Sequence, residues 1–294
     1  MTKTELVTIG IPVYNMEKSV LDAINSALNQ TYENLEVLLV NDASTDNTMS
    51  VVRDKIHDSR LRIYEREKNG GVCAAMRDLV NQARGKYICF LDADDTMMPT
   101  RVQRQYDAIK AAEAQYPNRM VACFCGSRVN DITNKKEYII NPYNLFKKDF
   151  GGGTGHSMYR VSDLKTLGNF DVRFSRSADA AMCINFLMHD GFYAMVDEPL
   201  LQYNFVWNDH KSDIAGVEEK IFSQLRTEVR SENPRNLYLR RFAGLDHEND
   251  YTHTYIDLFG IKGIRLLTIR HKGTKHIVRL FGFIPLLRIK SVGD

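Results

Sequence analysis

The segment that most constrains this chain is Tyr87-Ile88-Cys89-Phe90-Leu91, followed without a break by Asp92-Ala93-Asp94-Asp95. Five β-forming apolar residues that end in a polar turn read as a buried strand. The carboxylates then sit at its C-terminal end, where open α/β sheets take their ligands. Carboxylates packed this closely repel one another and call for a compensating cation. Hard divalent ions suit such a place, because they take one or two carboxylates and complete their shell with substrate phosphates. A plainer reading is a solvated acidic turn with Asp95 capping the next helix and Pro99 just inside it. The two readings are compatible.

The surrounding pattern supports a sheet of this kind. A strand at residues 6–11 is followed by a helical stretch at 19–30 with Val20, Ala23, Ile24, Ala27 and Leu28 on one face. A strand at 35–40 leads through Asp42-Ala43-Ser44-Thr45-Asp46 into a helix through Val51, Val52 and Ile56. A strand at Leu61–Glu65, the Gly70-Gly71 turn, a helix at 72–83 and a strand at 86–91 complete the alternation. Four strands separated by helices imply right-handed crossovers and a mostly parallel α/β sheet covered on both faces. After about residue 115 the pattern changes. Strands are expected at 120–125, Lys136–Ile140 and 192–196, and a flexible glycine loop at 151–155. Helices are expected from Ser162, over 178–189 and over 218–230.

Composition narrows the class. With 44% hydrophobic and 26% charged residues, the chain has the make-up of a soluble globular protein. No segment approaches the ~20 apolar residues of a membrane-spanning helix, and no secretory signal precedes the first strand. The five cysteines, Cys73, Cys89, Cys123, Cys125 and Cys183, contain no C-x-x-C pair and read as buried hydrophobes in a reducing, cytoplasmic compartment. The net charge of +2 conceals an asymmetry. Residues 258–293 hold eight Lys or Arg and no Asp or Glu, leaving 31 basic and 37 acidic residues elsewhere. Basic residues interleaved with Leu, Phe and Ile in that segment suit an anionic membrane surface, a terminal helix and tail packed on the domain being the alternative. Nucleic acid is disfavoured as a partner, since the bulk of the chain is acidic and no nucleic-acid module is present.

Several further residues fall at the same predicted sheet edge. Strand one ends in Pro12-Val13-Tyr14-Asn15, where an aromatic can stack on a nucleobase or merely occupy a turn. Strand two delivers Asn41-Asp42, and Asp42 either accepts from a base or caps the following helix. Arg77, after Asn69-Gly70-Gly71, either lies over a diphosphate or is a solvated helix residue. Neither G-x-G-x-x-G nor G-x-x-x-x-G-K-[ST] occurs, which disfavours dinucleotide oxidoreductases and P-loop enzymes.

Taken together, Pro12-Val13-Tyr14-Asn15, Ser26-Ala27-Leu28-Asn29-Gln30-Thr31-Tyr32, Asn41-Asp42-Ala43-Ser44-Thr45-Asp46, Asn69-Gly70-Gly71 and Phe90-Leu91-Asp92-Ala93-Asp94-Asp95 resemble the nucleotide-sugar half of family 2 glycosyltransferases. The resemblance covers about a third of the chain closely and implies the GT-A fold. It further implies that Asp42 and Tyr14 hold the base, usually uracil, with Pro12, Val13, Asn15, Arg77 and Ala93 among the residues of the nucleotide-sugar site. Asp92 would lie near the ribose and Asp94 on a divalent cation, Mn2+ or Mg2+, that bridges the diphosphate. The family's acidic pair, whose second carboxylate is the general base, matches Ala178-Asp179, so Asp179 keeps the base position while the preceding Glu is lost. His210, beside Lys211, falls where relatives place a metal or diphosphate contact, and His156 either lines the acceptor pocket or packs there.

The expected protein is therefore a metal-dependent inverting glycosyltransferase. It would use a nucleotide-sugar donor and a glycan or lipid-linked acceptor in bacterial surface polysaccharide synthesis, as a cytoplasmic protein peripheral on the membrane. Residues 1–115 would form the donor half, 116–213 the acceptor half, and 214–294 a helical, basic extension that contacts the membrane. The rivals are a sugar-nucleotide nucleotidyltransferase, which lacks support because Pro12-Val13-Tyr14-Asn15 is no glycine-rich basic loop, and a non-catalytic binding module, favoured only by Ala178.

Overall fold

The structure, a computed structural model, describes residues 4–131, 136–140, 154–172, 191–205, 251–257, 265–272, 275–280 and 284–290, together with Asp179, Met182, Cys183, Asn185, Phe186 and His189. The chain divides into two units, Met1–Arg226 and Thr227–Asp294.

In the first unit, β1 (Val7–Val13), β2 (Leu35–Asn41), β3 (Leu61–Glu65) and β4 (Tyr87–Phe90) are parallel and ordered β3-β2-β1-β4. The helices between them are α1 (Val20–Leu28), α2 (Thr48–Lys55) and α3 (Val72–Gln82). In α1 the buried positions are the five apolar residues read from the sequence. β1 and β2 end level, with Val13 opposite Asn41, and β4 opposes β1 as far as Gly10. The chain following β1, β2 and β4 therefore emerges along one edge of the sheet.

Beyond β4 the sheet becomes mixed. β5 (Thr96–Met97), β6 (Val121–Asp131), β7 (Lys136–Ile140), β8 (Ser157–Arg160) and β9 (Phe192–Phe205) extend it in the order β4-β8-β6-β9-β5, with β7 paired to β6. Strand β9 is much longer than the expected 192–196. Its pairing with β6 is irregular around Gly126, which lies opposite Pro199. A bulge lets the strand pass a proline that would otherwise end it.

Helix α4 (Arg101–Gln115) packs against β6 and β9, and the short α5 (Val161–Thr166) follows β8. Two expected caps are absent. Thr100, not Asp95, precedes α4, and Arg160, not Ser162, precedes α5; neither makes a side-chain cap bond. Pro99 lies before the helix, with its carbonyl accepting from Thr31 N.

Aromatic packing fixes the helical residues around Phe186. Phe186 lies 5.4 Å from Tyr159 and 4.9 Å from Tyr193 between ring centroids, while the Tyr159 and Tyr193 hydroxyls are 2.7 Å apart. Phe90 meets Phe170 edge-on at 5.6 Å. Each such pair adds ~1 kcal/mol beyond its area. Asp179, Met182, Cys183, Asn185 and Phe186 are all helical, and this cluster holds their helix against β8 and β9.

The second unit corrects an expectation. Its described residues form no helix but a four-stranded antiparallel sheet of β10 (Tyr251–Asp257), β11 (Arg265–Lys272), β12 (Lys275–Leu280) and β13 (Ile284–Lys290). Basic and aliphatic residues alternate there with period two, which is a strand pattern. The helix expected over 218–230 lies outside the described residues. Among the described residues no helix is long and apolar enough to cross a membrane.

One buried charge ties β1, β2 and β3 together. The Glu36 carboxylate accepts from Thr8 Oγ1 (2.7 Å), Arg84 N (2.8 Å) and Arg62 Nη1 (2.8 Å). Burial alone would raise its pKa, but these donors outweigh burial and hold it below the ordinary 4.5. Glu36→Gln is expected to cost about 2 kcal/mol in urea unfolding at neutral pH. A depressed carboxylate stabilises fully above its unfolded pKa and loses that contribution as pH falls through the folded one. The difference between wild type and variant should accordingly shrink below about pH 4.5.

Candidate active site

The rim of the site is built from main-chain donors tied to short polar side chains. Asp42 N donates to Val13 O (2.9 Å), and Asn15 Oδ1 accepts from Thr45 N (2.8 Å), lacing the loops after β1 and β2 together. Asn15 and Ala43 both lie in the left-handed region, at φ 53° and 59°. Asn tolerates that conformation, whereas at Ala43 it stores roughly 1 kcal/mol or more of strain. Tyr14 stands out from this rim, 42% exposed, with its ring face available.

Asp42 is the reverse case, 3% exposed and fully engaged within the protein. Its Oδ1 accepts from Arg66 Nη1 and Gly70 N (2.9 Å), and its Oδ2 from Gly71 N (2.8 Å). Gly71 has φ 82°, and a Cβ on Gly70 would lie 2.3 Å from Arg66 Nη1. The Asn69-Gly70-Gly71 turn is thus the cradle that receives this carboxylate–guanidinium pair. Arg77 is not gathered with these groups. Its Nε donates to Phe170 O (2.9 Å), which fastens α3 to the turn that follows α5.

The aspartates form the floor of the site. Asp94 is exposed, Asp92 half-buried and Asp95 buried. Asp95 Oδ1 accepts from Asn204 N (2.8 Å) and Asp94 O from Asn204 Nδ2 (2.6 Å), so β9 clamps the turn that follows β4. A Cβ on Gly155 would sit 3.1 Å from Asp92 Oδ2, so only glycine lets that loop lie against the carboxylate without displacing it. Loss of solvent raises the Asp92 pKa to about 7, helped by Asp94 and Asp179. Asp95 is pushed up to about 8 by burial and by Asp92, and Asp94, although its side chain reaches the surface, is raised by partial loss of the water around it.

A buried cation lies behind this group. The Arg101 side chain is fully buried, donating from Nη2 to Phe90 O (3.1 Å) and from Nε to Gln105 Oε1 (3.0 Å). Its charge lowers both Asp92 and Asp95 without overcoming burial and mutual repulsion. The cluster therefore remains short of positive charge.

The fields of Asp95, Asp92, Asp94 and Asp179 converge on Tyr203, whose pKa they raise in addition to burial. The structure thus brings Asp179 to the carboxylates that end β4, although 84 residues separate Asp179 from Asp95. His156 is buried and packs 6.0 Å from the Tyr203 ring. His210 and Ala178 lie outside the described residues.

Arg66, Arg101, Tyr203 and Asn204 are absent from the residues singled out in the sequence. One of them carried a legible signal: Arg101 opens a helix, where the macrodipole disfavours a cation, so its position needs another explanation.

Among the described residues no three His, Cys, Asp or Glu are grouped to hold a metal by protein ligands alone. Two neighbouring carboxylates, Asp92 and Asp94, whose pKa values are raised by loss of solvent, nevertheless fit a divalent ion that draws its other ligands from a diphosphate and water.

Arg101→Met is expected to lower unfolding stability by about 3–5 kcal/mol, because it strips a buried cation from buried acceptors and a carboxyl. Arg101→Lys should recover only part, since an ammonium lacks the fork that spans Phe90 O and Gln105. Unchanged thermal unfolding in Arg101→Met would show that the guanidinium compensates nothing.

Comparison with known proteins agrees with this architecture. Residues 8–168 match the family described as glycosyl transferase family 2. The Escherichia coli UDP-Glc:alpha-D-GlcNAc-diphosphoundecaprenol beta-1,3-glucosyltransferase WfaP is 38% identical over 101 residues, 34% of this chain and 40% of that protein. The chain spans less than half the length of the curated relatives it matches most strongly. TarS 1–349 of S. aureus, solved in complex with UDP, superimposes with a TM-score of 0.60 at 16% identity, covering 80% of this chain and 70% of that one. The mannosyltransferase PcManGT of Pyrobaculum calidifontis, solved with GDP-Man and Mn2+, gives 0.54 at 20% identity, covering 84% and 71%. These likenesses establish the GT-A fold.

Proposed function

Because the chain belongs to glycosyl transferase family 2, we propose that it transfers a sugar from a nucleotide-sugar donor to an acceptor hydroxyl with inversion at the anomeric carbon. The observation that carries this reading is the convergence of Asp92, Asp94, Asp95 and Asp179 on Tyr203. That convergence unites a phosphate-side carboxylate pair and a second, distant carboxylate in one site.

In this reading the donor base stacks on Tyr14, within the edge formed by Pro12, Val13 and Asn15. Asp42, locked to Arg66 and the Gly70-Gly71 amides, keeps that edge rigid and polar. Asp92 and Ala93 lie at the ribose. Asp94, with Asp92 beside it, would hold a divalent cation, Mn2+ or Mg2+, which when bound neutralises charge on the diphosphate. His210 is a further candidate ligand for it.

Asp179 is the general base. It removes the proton from the acceptor hydroxyl as the oxygen attacks the anomeric carbon, and the nucleoside diphosphate leaves from the opposite face. Asp95, enclosed and bonded to Asn204, shapes the turn and takes no part in proton transfer. Arg77 acts through position: by fastening the turn at Phe170 it helps set the segment leading to Asp179.

A UDP-sugar donor is supported by the name of WfaP and the UDP complex of TarS, and a lipid-linked acceptor by the diphosphoundecaprenol in the WfaP name. A bacterial surface polysaccharide is the product class these imply.

Asp179→Asn should leave donor binding intact and reduce transfer by about 10²–10⁴-fold, the usual worth of a general base. Full transfer by that variant would remove Asp179 from the mechanism. Asp94→Ala should weaken donor binding only when Mn2+ is present. Thermal-shift measurements with UDP-, GDP- and dTDP-sugars, with and without Mn2+, identify the donor. A shift of equal size for all three, indifferent to metal, would contradict the site assignment.

A further inference from the structure

The pairing of the C-terminal strands sorts residues onto two unlike faces, because alternate residues of a strand face opposite ways and directly paired residues share a face. One face carries the ranks Thr252–His271–His276–Ile289, Thr254–Ile269–Val278–Leu287 and Ile256–Leu267–Leu280–Ile284, of which the last two are almost wholly aliphatic. The other carries Tyr251–Lys272–Lys275–Lys290, then His253–Arg270–Ile277–Arg288, then Tyr255–Thr268–Arg279–Pro285. Six Lys or Arg thus share a single face, on three ranks spanning about 14 by 14 Å. No Asp or Glu stands in these ranks among the described residues; Asp257 falls beyond the β10 bulge, opposite Arg265.

This arrangement works against the sheet itself. Like charges directly opposite one another destabilise a strand pair, and here Lys272, Lys275 and Lys290 are neighbours on three successive strands. Cations paired on neighbouring strands lie within one Debye length at physiological salt, so screening does not remove the repulsion between them. Nor can such a face be buried against apolar groups without counter-charge. A broad anionic surface relieves all six at once. The aliphatic ranks, by contrast, form the face suited to burial in protein.

We propose that the basic face of β10–β13 docks this protein on an anionic lipid bilayer. Cations spread in two dimensions over a sheet match a two-dimensional array of headgroup phosphates better than the single line of charge on a polymer strand. Tyr251 and Tyr255 stand on the edge strand β10 at register positions of this same face, and tyrosine is enriched at bilayer interfaces. The preference for lipid over other polyanions rests on the reading that the acceptor is lipid-linked, since such an acceptor is presented at a membrane surface.

The test uses the full chain without donor or acceptor, so its outcome is separate from that of the transfer assays. Sedimentation with phosphatidylcholine vesicles is compared with vesicles containing phosphatidylglycerol. Binding to the anionic vesicles alone is expected, with release at about 1 M salt, where screening acts over only about 3 Å. Each surface cation contributes roughly fivefold to such partitioning. Replacing the lysine rank together (Lys272→Gln, Lys275→Gln, Lys290→Gln) should therefore weaken binding about a hundredfold. The circular-dichroism spectrum and thermal unfolding curve should be unchanged, which reports that the variant is folded. Equal binding to both vesicle types, or anionic binding undiminished in the triple variant, would overturn the proposal. So would binding to single-stranded nucleic acid or an anionic glycan without binding to anionic vesicles.

Discussion

The repulsion among the carboxylates that end β4 is the interaction around which the first unit is organised. A strand buried on both faces delivers Asp92, Asp94 and Asp95 to one turn, and Asp179 adds its charge from another element. The fold answers with a fully buried cation, Arg101, set where α4 begins and bonded to Phe90 O two residues before the cluster. That choice works against the helix, whose N-terminus repels a cation. It is also incomplete, since the Asp92 and Asp95 pKa values remain raised to about 7 and about 8. A site left in this condition has a standing demand for positive charge that a divalent ion can meet. Filling the demand with a second internal arginine would stabilise the turn and remove the reason for a metal to bind.

The rim obeys a different logic. Its polar side chains face inward to main-chain amides, as Asn15 does at Thr45 and Asp42 does at Gly70 and Gly71. Residues of this kind look like ligand contacts in a motif, yet in the folded chain they first satisfy backbone donors that the tight loops leave unpaired. The consequence is preorganisation. Tyr14 can stay exposed because the loops beneath it are cross-linked, and even the unfavourable Ala43 conformation persists because bonds on both sides determine it.

The legible and illegible parts of the fold divide along physical lines. β1 through β4 and α1 could be read because each is a continuous apolar run or stripe closed by short polar turns, so that local pattern and burial coincide. β5 has two residues and no periodicity to detect, and β9 passes through Pro199, which local rules treat as a strand end. Asp95 was assigned to a cap because the competing partner, Asn204, lies 109 residues away. For the same reason the internal engagement of Asp42 by Arg66, 24 residues on, could not be read from the Asn41-Asp42 motif. At the C-terminus, basic residues scattered among aliphatic ones suggest an amphipathic helix by composition, and only the period of two distinguishes strands.

That period also gives meaning to the charge asymmetry along the chain. A random placement of eight cations in residues 258–293 would spread them over both faces of a sheet, but the register collects six on one. The acidic remainder of the chain includes the carboxylate cluster that ends β4, which in the proposed reading takes up a divalent ion. Mobile lysines or arginines placed near that cluster would compete for the same carboxylates. The excess cations of the C-terminal residues are instead gathered by register on one face of their own sheet, so the two units carry opposite demands for counter-charge. One is then open to a small divalent ion, and the other to an extended anionic surface.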